Sequence, residues 1–189
     1  IDIDKDENLI LTGSFWHTVD FNPGAAVDTQ TAVDFLDVYV LKLNSSGDYL
    51  WAKTFGGANS EVGTGICTDS LGDIYIAGEF VGIVDFDPGA AVFTENSNAG
   101  SKDVFLLKLD NAGNFIWVKT YGGTATDEIR SLTFKKNQLY VVGNYQGTMD
   151  LDPGTATTNT TSGGNYDTFI QKFDLNANLI WAKAFGGND

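Results

Sequence analysis

A short phrase occurs three times in this chain at a constant spacing. The pattern Asp-Phe/Leu-Asx-Pro-Gly begins at Asp20, Asp85 and Asp150, which are 65 residues apart. A second phrase, Trp-x-Lys-x-Phe/Tyr-Gly-Gly, follows it in every copy and covers 51–57, 117–123 and 181–187. A fixed period of this kind indicates one supersecondary unit that is copied and stacked. Function must therefore be sought in what each copy presents.

The charge of the chain limits the partners it can have. The formal net charge is −14, whereas nucleic acid and anionic lipid both require a basic face, so neither is an expected partner. No apolar run approaches the roughly 20 residues that span a bilayer, and we expect no membrane insertion. The single cysteine, Cys67, excludes an internal disulfide framework. It fits a reducing compartment or a secreted bacterial protein without disulfides.

The middle copy predicts four strands joined by short turns. These strands are rich in β-branched and aromatic residues and are expected over 66–69, 74–80, 103–109 and 115–121. The turn 110–114 contains Asp, Asn and Gly, which is typical of a hairpin. The third strand is apolar on both faces, so it requires cover on both sides. Four-stranded antiparallel sheets stacked face to face around an axis supply that cover, and this arrangement is a β-propeller.

The fold class is therefore predicted as all-β, a β-propeller segment of three four-stranded antiparallel blades. Residues 1–189 form one segment, with repeats 1–65, 66–131 and 132–189. The recurring Trp51, Trp117 and Trp181 are expected to seal each blade against the next. Propellers typically close with four to eight blades. We therefore expect these three blades to belong to a longer array or to be completed by self-association, because uncovered blade faces associate.

Two phrases carry a resemblance to a known family. Residues 107–123 and 72–80 resemble the bacterial seven-bladed β-propeller repeat family, abbreviated SBBP, and the likeness extends over essentially the whole chain. The resemblance implies a repeat module of a large exported or surface protein. The expected localisation is therefore secreted or at the bacterial cell surface. Quinone-binding dehydrogenases and sialidases have similar hairpins, but no catalytic carboxylate and cofactor set carries over, and Arg130 is the single arginine.

The loop carboxylates are the candidate metal ligands. Two acidic or amide side chains precede each Pro-Gly, and a third carboxylate opens each third strand; oxygen ligands of this type suit calcium. The full candidate set is Asp20, Asn22, Asp37, Asp85, Asp87, Asp103, Asp150, Asp152 and Asp167. The alternative, which we favour, is a structural turn, because Pro and Gly set the backbone and Asp accepts its N–H groups. The recurring lysines, such as Lys108 and Lys119, are a further means of neutralising these carboxylates.

Four other features resemble functional motifs, but each has a simpler structural interpretation. His17 lacks the oriented partner and nucleophile of a catalytic histidine, and is expected to serve packing or the surface. Cys67 is expected to be a small buried hydrophobe. The Gly-Gly pairs precede no helix, and are predicted to be blade-to-blade turns. Trp16 has no counterpart in the other copies and is the best candidate for an exposed aromatic contact, although packing is the favoured role.

Repetition without a singular catalytic constellation predicts a non-catalytic extracellular or cell-surface module. Its role would be adhesion, spacing, or binding of a protein or glycan partner, with no cofactor assigned and calcium as the single candidate. The alternative is a propeller enzyme of the glycosidase, lyase or quinoprotein kind with its site on the propeller axis. That alternative requires polar departures from the repeat clustered at one mouth of the axis, and the sequence offers Trp16-His17 alone.

Overall fold

The protein is built almost entirely of β-strands. A computed structural model describes residues 1–188. In chain order, the strands are β1 (Asp2–Ile3), β2 (Leu9–Phe15), β3 (Thr18–Asp20), β4 (Thr29–Thr31), β5 (Asp37–Leu43), β6 (Tyr49–Gly57), β7 (Val62–Thr68), β8 (Ile74–Val81), β9 (Ile83–Asp85), β10 (Thr94–Asn96), β11 (Lys102–Leu109), β12 (Phe115–Tyr121), β13 (Asp127–Phe134), β14 (Leu139–Tyr145), β15 (Thr148–Asp150), β16 (Asn159–Thr161), β17 (Asp167–Phe173) and β18 (Leu179–Phe185). One 3-10 turn covers Asn98–Gly100.

Twelve of these strands form three antiparallel blades of four strands each. The strand orders are β1-β2-β5-β6, β7-β8-β11-β12 and β13-β14-β17-β18. Strands that are adjacent in a blade are paired antiparallel throughout. The predicted all-β fold, a propeller segment with four-stranded antiparallel blades, is confirmed.

The strand limits differ from the predicted ones at the start of each blade. The first strand of the middle copy was expected over 66–69, but β7 begins at Val62. The prediction missed 62–65 because Gly63 and Gly65 have poor strand propensity, although a register shift lets the strand pass through them. The repeat boundaries after residues 65 and 131 consequently fall inside β7 and β13. They follow the sequence period, whereas the sheets divide the chain a few residues earlier.

The remaining six strands form a hairpin inserted between the second and third strands of every blade. These hairpins are β3–β4, β9–β10 and β15–β16. The second hairpin pairs with the outer strand of the first blade through Gly56 and Gly57, and the third hairpin makes a bridge to Gly123. The second and third hairpins therefore each attach their own blade to the blade before it.

The second glycine of the first two Gly-Gly pairs permits this attachment. A Cβ atom on Gly57 would overlap the carbonyl oxygen of Ile83, and one on Gly123 would overlap that of Thr148. The backbones of outer strand and hairpin can approach closely at these points because no side chain intervenes. The Gly-Gly pairs are thus contact points between consecutive blades.

Aromatic side chains fill the space between the blades. Phe55 of β6 contacts the rings of Phe86 and Phe105 in the second blade, with centroid distances of 5.6 and 5.7 Å. Tyr121, the equivalent residue of β12, donates its hydroxyl to Oε1 of Gln171 in the third blade at 2.8 Å. Both residues belong to buried clusters that cross a blade junction. Packing between blades is therefore the main source of the hydrophobic core.

The third blade lacks this cover on one face. The predicted packing of Val38, Val40, Val104 and Leu106 is confirmed, because all four are buried. Thr168 at the equivalent position is exposed and Ile170 is half-buried. Trp51 and Trp117 are partly buried against the inter-blade clusters, but Trp181 is exposed. The expectation that all three tryptophans seal a junction is wrong for Trp181, which lies on the last strand of the third blade and is 37% exposed.

Phe55 and Phe185 give a matched test of blade packing, since they occupy equivalent positions and are 4% and 59% exposed. We expect Phe55→Ala to lower the free energy of unfolding of the 189-residue chain by about 3–5 kcal/mol because it leaves a cavity between two blades. Phe185→Ala should cost less than about 1 kcal/mol. Urea denaturation measures both. Equal costs would mean that the outer face of the third blade is covered in solution.

Candidate functional site

The Asp-x-Asx-Pro-Gly phrase forms the same turn at the tip of each inserted hairpin. In the second blade, Oδ1 of Asp85 accepts the N–H of Asp87 at 3.1 Å and that of Phe93 at 2.8 Å. Oδ1 of Asp87 accepts the N–H of Gly89 at 2.7 Å. One carboxylate thus closes the hairpin loop and the next shapes the Pro-Gly turn, as Asx side chains do.

The other two copies repeat these hydrogen bonds. Asp150 accepts from Asp152 and Thr158, and Asp152 accepts from Gly154. In the first copy, Asp20 accepts from Asn22 and Asp28, and the side-chain oxygen of Asn22 accepts the N–H of Gly24 at 2.8 Å. An amide oxygen therefore fills the same role as a carboxylate. The position requires a hydrogen-bond acceptor rather than a charge.

The third carboxylate of each candidate set lies at the start of a blade strand instead. Asp37, Asp103 and Asp167 are buried, and each accepts a backbone N–H from the loop before it. Their neighbour is the first glycine of a Gly-Gly pair: Cγ of Asp103 lies 2.7 Å from the place where a Cβ on Gly122 would be. Asp37 and Asp167 contact Gly56 and Gly186 in the same way.

These contacts are those of the turn alternative. Among residues 1–188, no group of three or more His, Cys, Asp or Glu side chains is placed to hold a metal ion. Calcium prefers six to eight oxygen ligands, while the turn carboxylates already serve as acceptors for backbone N–H groups. The calcium hypothesis for the nine residues stays a prediction.

The recurring lysines pair with other acids. Nζ of Lys42 lies 2.9 Å from Oδ2 of Asp4, and that of Lys108 lies 2.8 Å from Oδ2 of Asp73. In each pair the lysine lies on the third strand of a blade, and the acid lies in the turn between the first and second strands of the same blade. Within the described part of the chain, no ion pair joins a lysine to the nine candidate residues, so the idea that lysines neutralise them is wrong. Burial alone would raise the pKa of Asp4, but Lys42 and amides of Asn8 and Asp6 lower it to about 2.

Two buried acids that the sequence interpretation missed complete the blade junctions. Glu61 and Asp127 are fully buried, and each follows the second glycine of its pair by four residues. Oε2 of Glu61 accepts the N–H of Gly57 at 2.8 Å, and Oδ2 of Asp127 accepts that of Gly123 at 2.6 Å. The pattern Gly-Gly-x-x-x-Asp/Glu in both copies is the signal that would have found them.

Each of these acids faces an acid of the preceding blade. Burial, with a smaller contribution from the nearby Asp37, raises the pKa of Glu61 to about 7, and burial together with Asp103 raises the pKa of Asp127 to about 7. Oε1 of Glu61 and Oδ1 of Asp127 lack a hydrogen-bond partner among the described residues. Such groups are protonated more readily in the folded protein than in water, because burial disfavours the charge.

The inner strands of the three blades line a cleft on the side of the propeller axis. This cleft has a volume of about 450 Å³ and lies between β1, β7 and β13. Its polar groups are largely engaged: Oδ2 of Asp2 accepts both the N–H and the hydroxyl of Thr68, and Asp4 is paired with Lys42. Cys67, at its edge, is buried, and burial with the nearby Asp2 raises its thiol pKa. A thiol in such surroundings is unreactive.

The first blade breaks the repeat at Trp16 and His17. Their rings are stacked, with centroids 4.1 Å apart, and Trp16 is 54% exposed. The predicted packing role of Trp16 thus applies to one ring face, while the other is open. His17 is exposed and contacts no nucleophile in the described hydrogen bonds.

Comparisons with known proteins agree with the propeller architecture. No family model matches the chain. Over 155 residues, 77% of the chain, it is 29% identical to an uncharacterized WD repeat-containing protein of Acanthamoeba polyphaga mimivirus, and it covers 11% of that protein. Over 154 residues, 79% of the chain, it is 28% identical to the regulatory protein FlaEY of Caulobacter vibrioides, and it covers 16% of it. WD repeats form β-propellers.

The described residues contain no helix that is long and apolar enough to cross a membrane.

Asn22 provides a natural control for the turn acids. We expect Asp87→Asn to leave stability unchanged within about 0.5 kcal/mol, because the amide oxygen still accepts the N–H of Gly89. Asp87→Ala should cost about 1 kcal/mol through the lost acceptor. Thermal melting in chelator and in calcium should give equal melting temperatures. A higher melting temperature in calcium, lost in Asp87→Asn, would instead support the calcium hypothesis.

The buried acids predict a pH dependence of stability. The folded state raises the pKa of Glu61 and Asp127 to about 7, so their contribution is complete below the unfolded value of about 4 and is lost as the pH rises through about 7. We expect the free energy of unfolding to fall by about 1–3 kcal/mol between pH 5 and pH 8, as order-of-magnitude figures. Urea denaturation across this range measures the fall.

Glu61→Gln and Asp127→Asn should flatten this dependence, since an amide oxygen still accepts the glycine N–H and carries no titrating proton. Asp87→Asn, a change in the Pro-Gly turn that exchanges one acceptor for the N–H of Gly89 for another, should leave the dependence unchanged. An identical slope in wild type and in the Glu61→Gln, Asp127→Asn double variant would contradict the assignment.

Proposed function

We propose that the chain is part of a non-catalytic β-propeller that serves as an interaction module in an exported or cell-surface bacterial protein. The resemblance to the SBBP repeats supports the bacterial surface location. The likeness to a WD repeat-containing protein supports a role in protein interaction. The chain spans less than a fifth of each relative described above, so the module would act within a larger protein.

The observation that carries the proposal is the composition of the hairpin tips. The second hairpin continues the sheet of the first blade beyond its outer strand, and the third hairpin makes a bridge to Gly123 of the second blade. Val27 and Val92 occupy equivalent positions at two of these tips and are almost fully exposed, and Thr157 takes the third. Exposed apolar side chains at a regular spacing on a rigid scaffold are typical of an interaction surface.

The polar groups favour binding over catalysis. In all three copies the hairpin acids serve as acceptors for backbone N–H groups, which is a structural task. The axial cleft has the location that the enzyme alternative requires. A general acid or base requires a free titrating group near neutral pH, whereas Asp4 in that cleft is held ionised by Lys42.

The outer face of the third blade supports the role in spacing. Phe185 stands where Phe55 and Tyr121 insert into a following blade. The matching receptor is present on the opposite face of the first blade, where Phe21 and Tyr39 correspond to Phe86 and Phe105 and lie 5.0 Å apart. Neighbouring blades of the same repeat, from a longer array or from a second copy, are therefore the partners that this face fits.

A photo-crosslinking experiment tests the interaction surface. A crosslinking amino acid replaces Val92, 73% exposed at a hairpin tip, or Leu71, 72% exposed in a turn between first and second strands. Both variants are expressed in the full-length protein in the cells that make it. We expect discrete adducts from position 92 and none from position 71. Equal adducts at both positions, or none at position 92, would overturn the proposed surface.

Protease treatment of the same cells tests the location. Intact cells should lose the module to added protease, while a cytoplasmic marker protein survives. Protection of the module together with that marker would place it inside the cell and contradict the extracellular assignment.

A further inference from the structure

The first blade carries a group of apolar side chains that the other blades lack. Trp16 corresponds to Val81 and Gln146, and Phe35 corresponds to Ser101 and Asn165. Leu36 corresponds to Lys102 and Tyr166. In a repeat protein, a specific function is expected where one copy departs from the others. This group of side chains is therefore a candidate binding site.

The backbone at His17 indicates that the departure carries a conformational cost. His17 has φ +61°, in the left-handed region, and the equivalent residues are Gly82 at +73° and Gly147 at +63°. A residue with a Cβ is disfavoured there relative to glycine. The stacking of His17 on Trp16 offsets part of this cost and holds the indole plane.

The apolar side chains form a pocket beside the stacked rings. It has a volume of about 320 Å³ and is lined by Trp16, Phe35, Leu36 and Ser60. Nε1 of Trp16 donates to the carbonyl oxygen of Asp34 at 3.2 Å, which fixes one wall. The N–H of Glu61 donates to the carbonyl oxygen of Leu36 at 2.7 Å, which ties the backbone on the Leu36 side of the pocket to the segment that carries Ser60. Trp16 is 54% and Phe35 56% exposed, so both aromatic side chains are accessible to a ligand.

The charges around this pocket are acidic. Asp34 is exposed and adjoins Phe35, while the buried Asp37 and Glu61 follow Leu36 and Ser60 directly. Among the described residues, no lysine or arginine is paired with these three acids. Together with the net charge of −14, the exposed carboxylate of Asp34 attracts a positively charged ligand.

The geometry points to a binding site for a quaternary ammonium group. The faces of Trp and Phe attract cations, and aromatic pockets of this kind suit permethylated ammonium groups. A primary ammonium would lose strong hydration and requires several acceptors, of which the lining offers the hydroxyl of Ser60 alone. A sugar ring requires more polar partners still. A quaternary ammonium has no N–H group to satisfy, so apolar walls beside the exposed Asp34 complement it.

The site is separate from the hairpin tips of the proposed interaction surface. It deepens the proposed function by naming a ligand class, and its test uses different residues, so the two can fail independently.

Choline is the probe, and its neutral carbon isostere, in which carbon replaces nitrogen, is the matched control ligand. Nuclear magnetic resonance of the indole N–H groups follows the four tryptophans of the 189-residue chain separately at constant ionic strength. We expect choline to shift the Trp16 signal selectively and to bind at least about fivefold more tightly than the isostere. Trp16→Leu and Phe35→Leu, both at exposed positions, should lose choline binding. Trp181→Leu, a change at another exposed tryptophan, should retain it.

His17→Gly provides a second, independent variant. It restores the glycine of the other blades, so the protein should be as stable as wild type or more so, while choline binds several-fold more weakly because Trp16 loses its stacking partner. Equal affinity for choline and its isostere would reduce the site to an apolar cleft and overturn the proposal. Binding that survives in Trp16→Leu, or a Trp16 shift with simple sugars in place of choline, would overturn it as well.

Discussion

The contact between consecutive blades is the interaction on which the rest of this structure depends. A four-stranded sheet whose third strand is apolar on both faces cannot stand alone in water, because it would expose as much apolar surface as it buries. Phe55 and Tyr121 each insert into the next blade, and in this way one face of each of the first two blades is covered. The inserted hairpin adds backbone pairing across the same junction, and the glycines at 57 and 123 allow it. Blade, hairpin and Gly-Gly pair thus form one cooperative unit.

The acids of the repeat divide into two groups with different physical consequences. Those at the hairpin tips are solvated acceptors for backbone N–H groups, and the exchange of Asp for Asn at position 22 shows that charge is dispensable there. Those at the junctions, Glu61 and Asp127 with their neighbours Asp37 and Asp103, are buried and have no ion pair with a lysine or arginine among residues 1–188. Burial favours their protonated forms and raises the pKa of Glu61 and Asp127 to about 7, so we expect the contact between blades to respond to pH near neutrality.

The residues that repeat in every blade differ in their contacts from the residues that occur in the first blade alone. The residues that repeat maintain the scaffold, and Asp2 and Asp4 in the axial cleft are occupied with structural contacts. The residues that depart from the repeat, around Trp16 and Phe35, form a fixed aromatic pocket at the cost of a strained backbone at His17. His17 takes the left-handed backbone conformation that glycine has in the other two blades, and its ring stacks on Trp16.

The sequence by itself determined the three-blade propeller and its hairpin turns, because period, strand alternation and turn residues are local properties that neighbouring residues impose on one another. It also identified Trp16 as a departure from the repeat. It did not separate Trp181 from Trp51 and Trp117, since the phrase is the same in all three copies and exposure depends on whether another blade covers it. It placed Asp85, Asp87 and Asp103 in one candidate set, whereas the fold carries Asp103 to the junction beside Gly122 and Asp127. Only the tertiary structure decided these points, because sequence spacing does not specify which side chains of two different sheets meet.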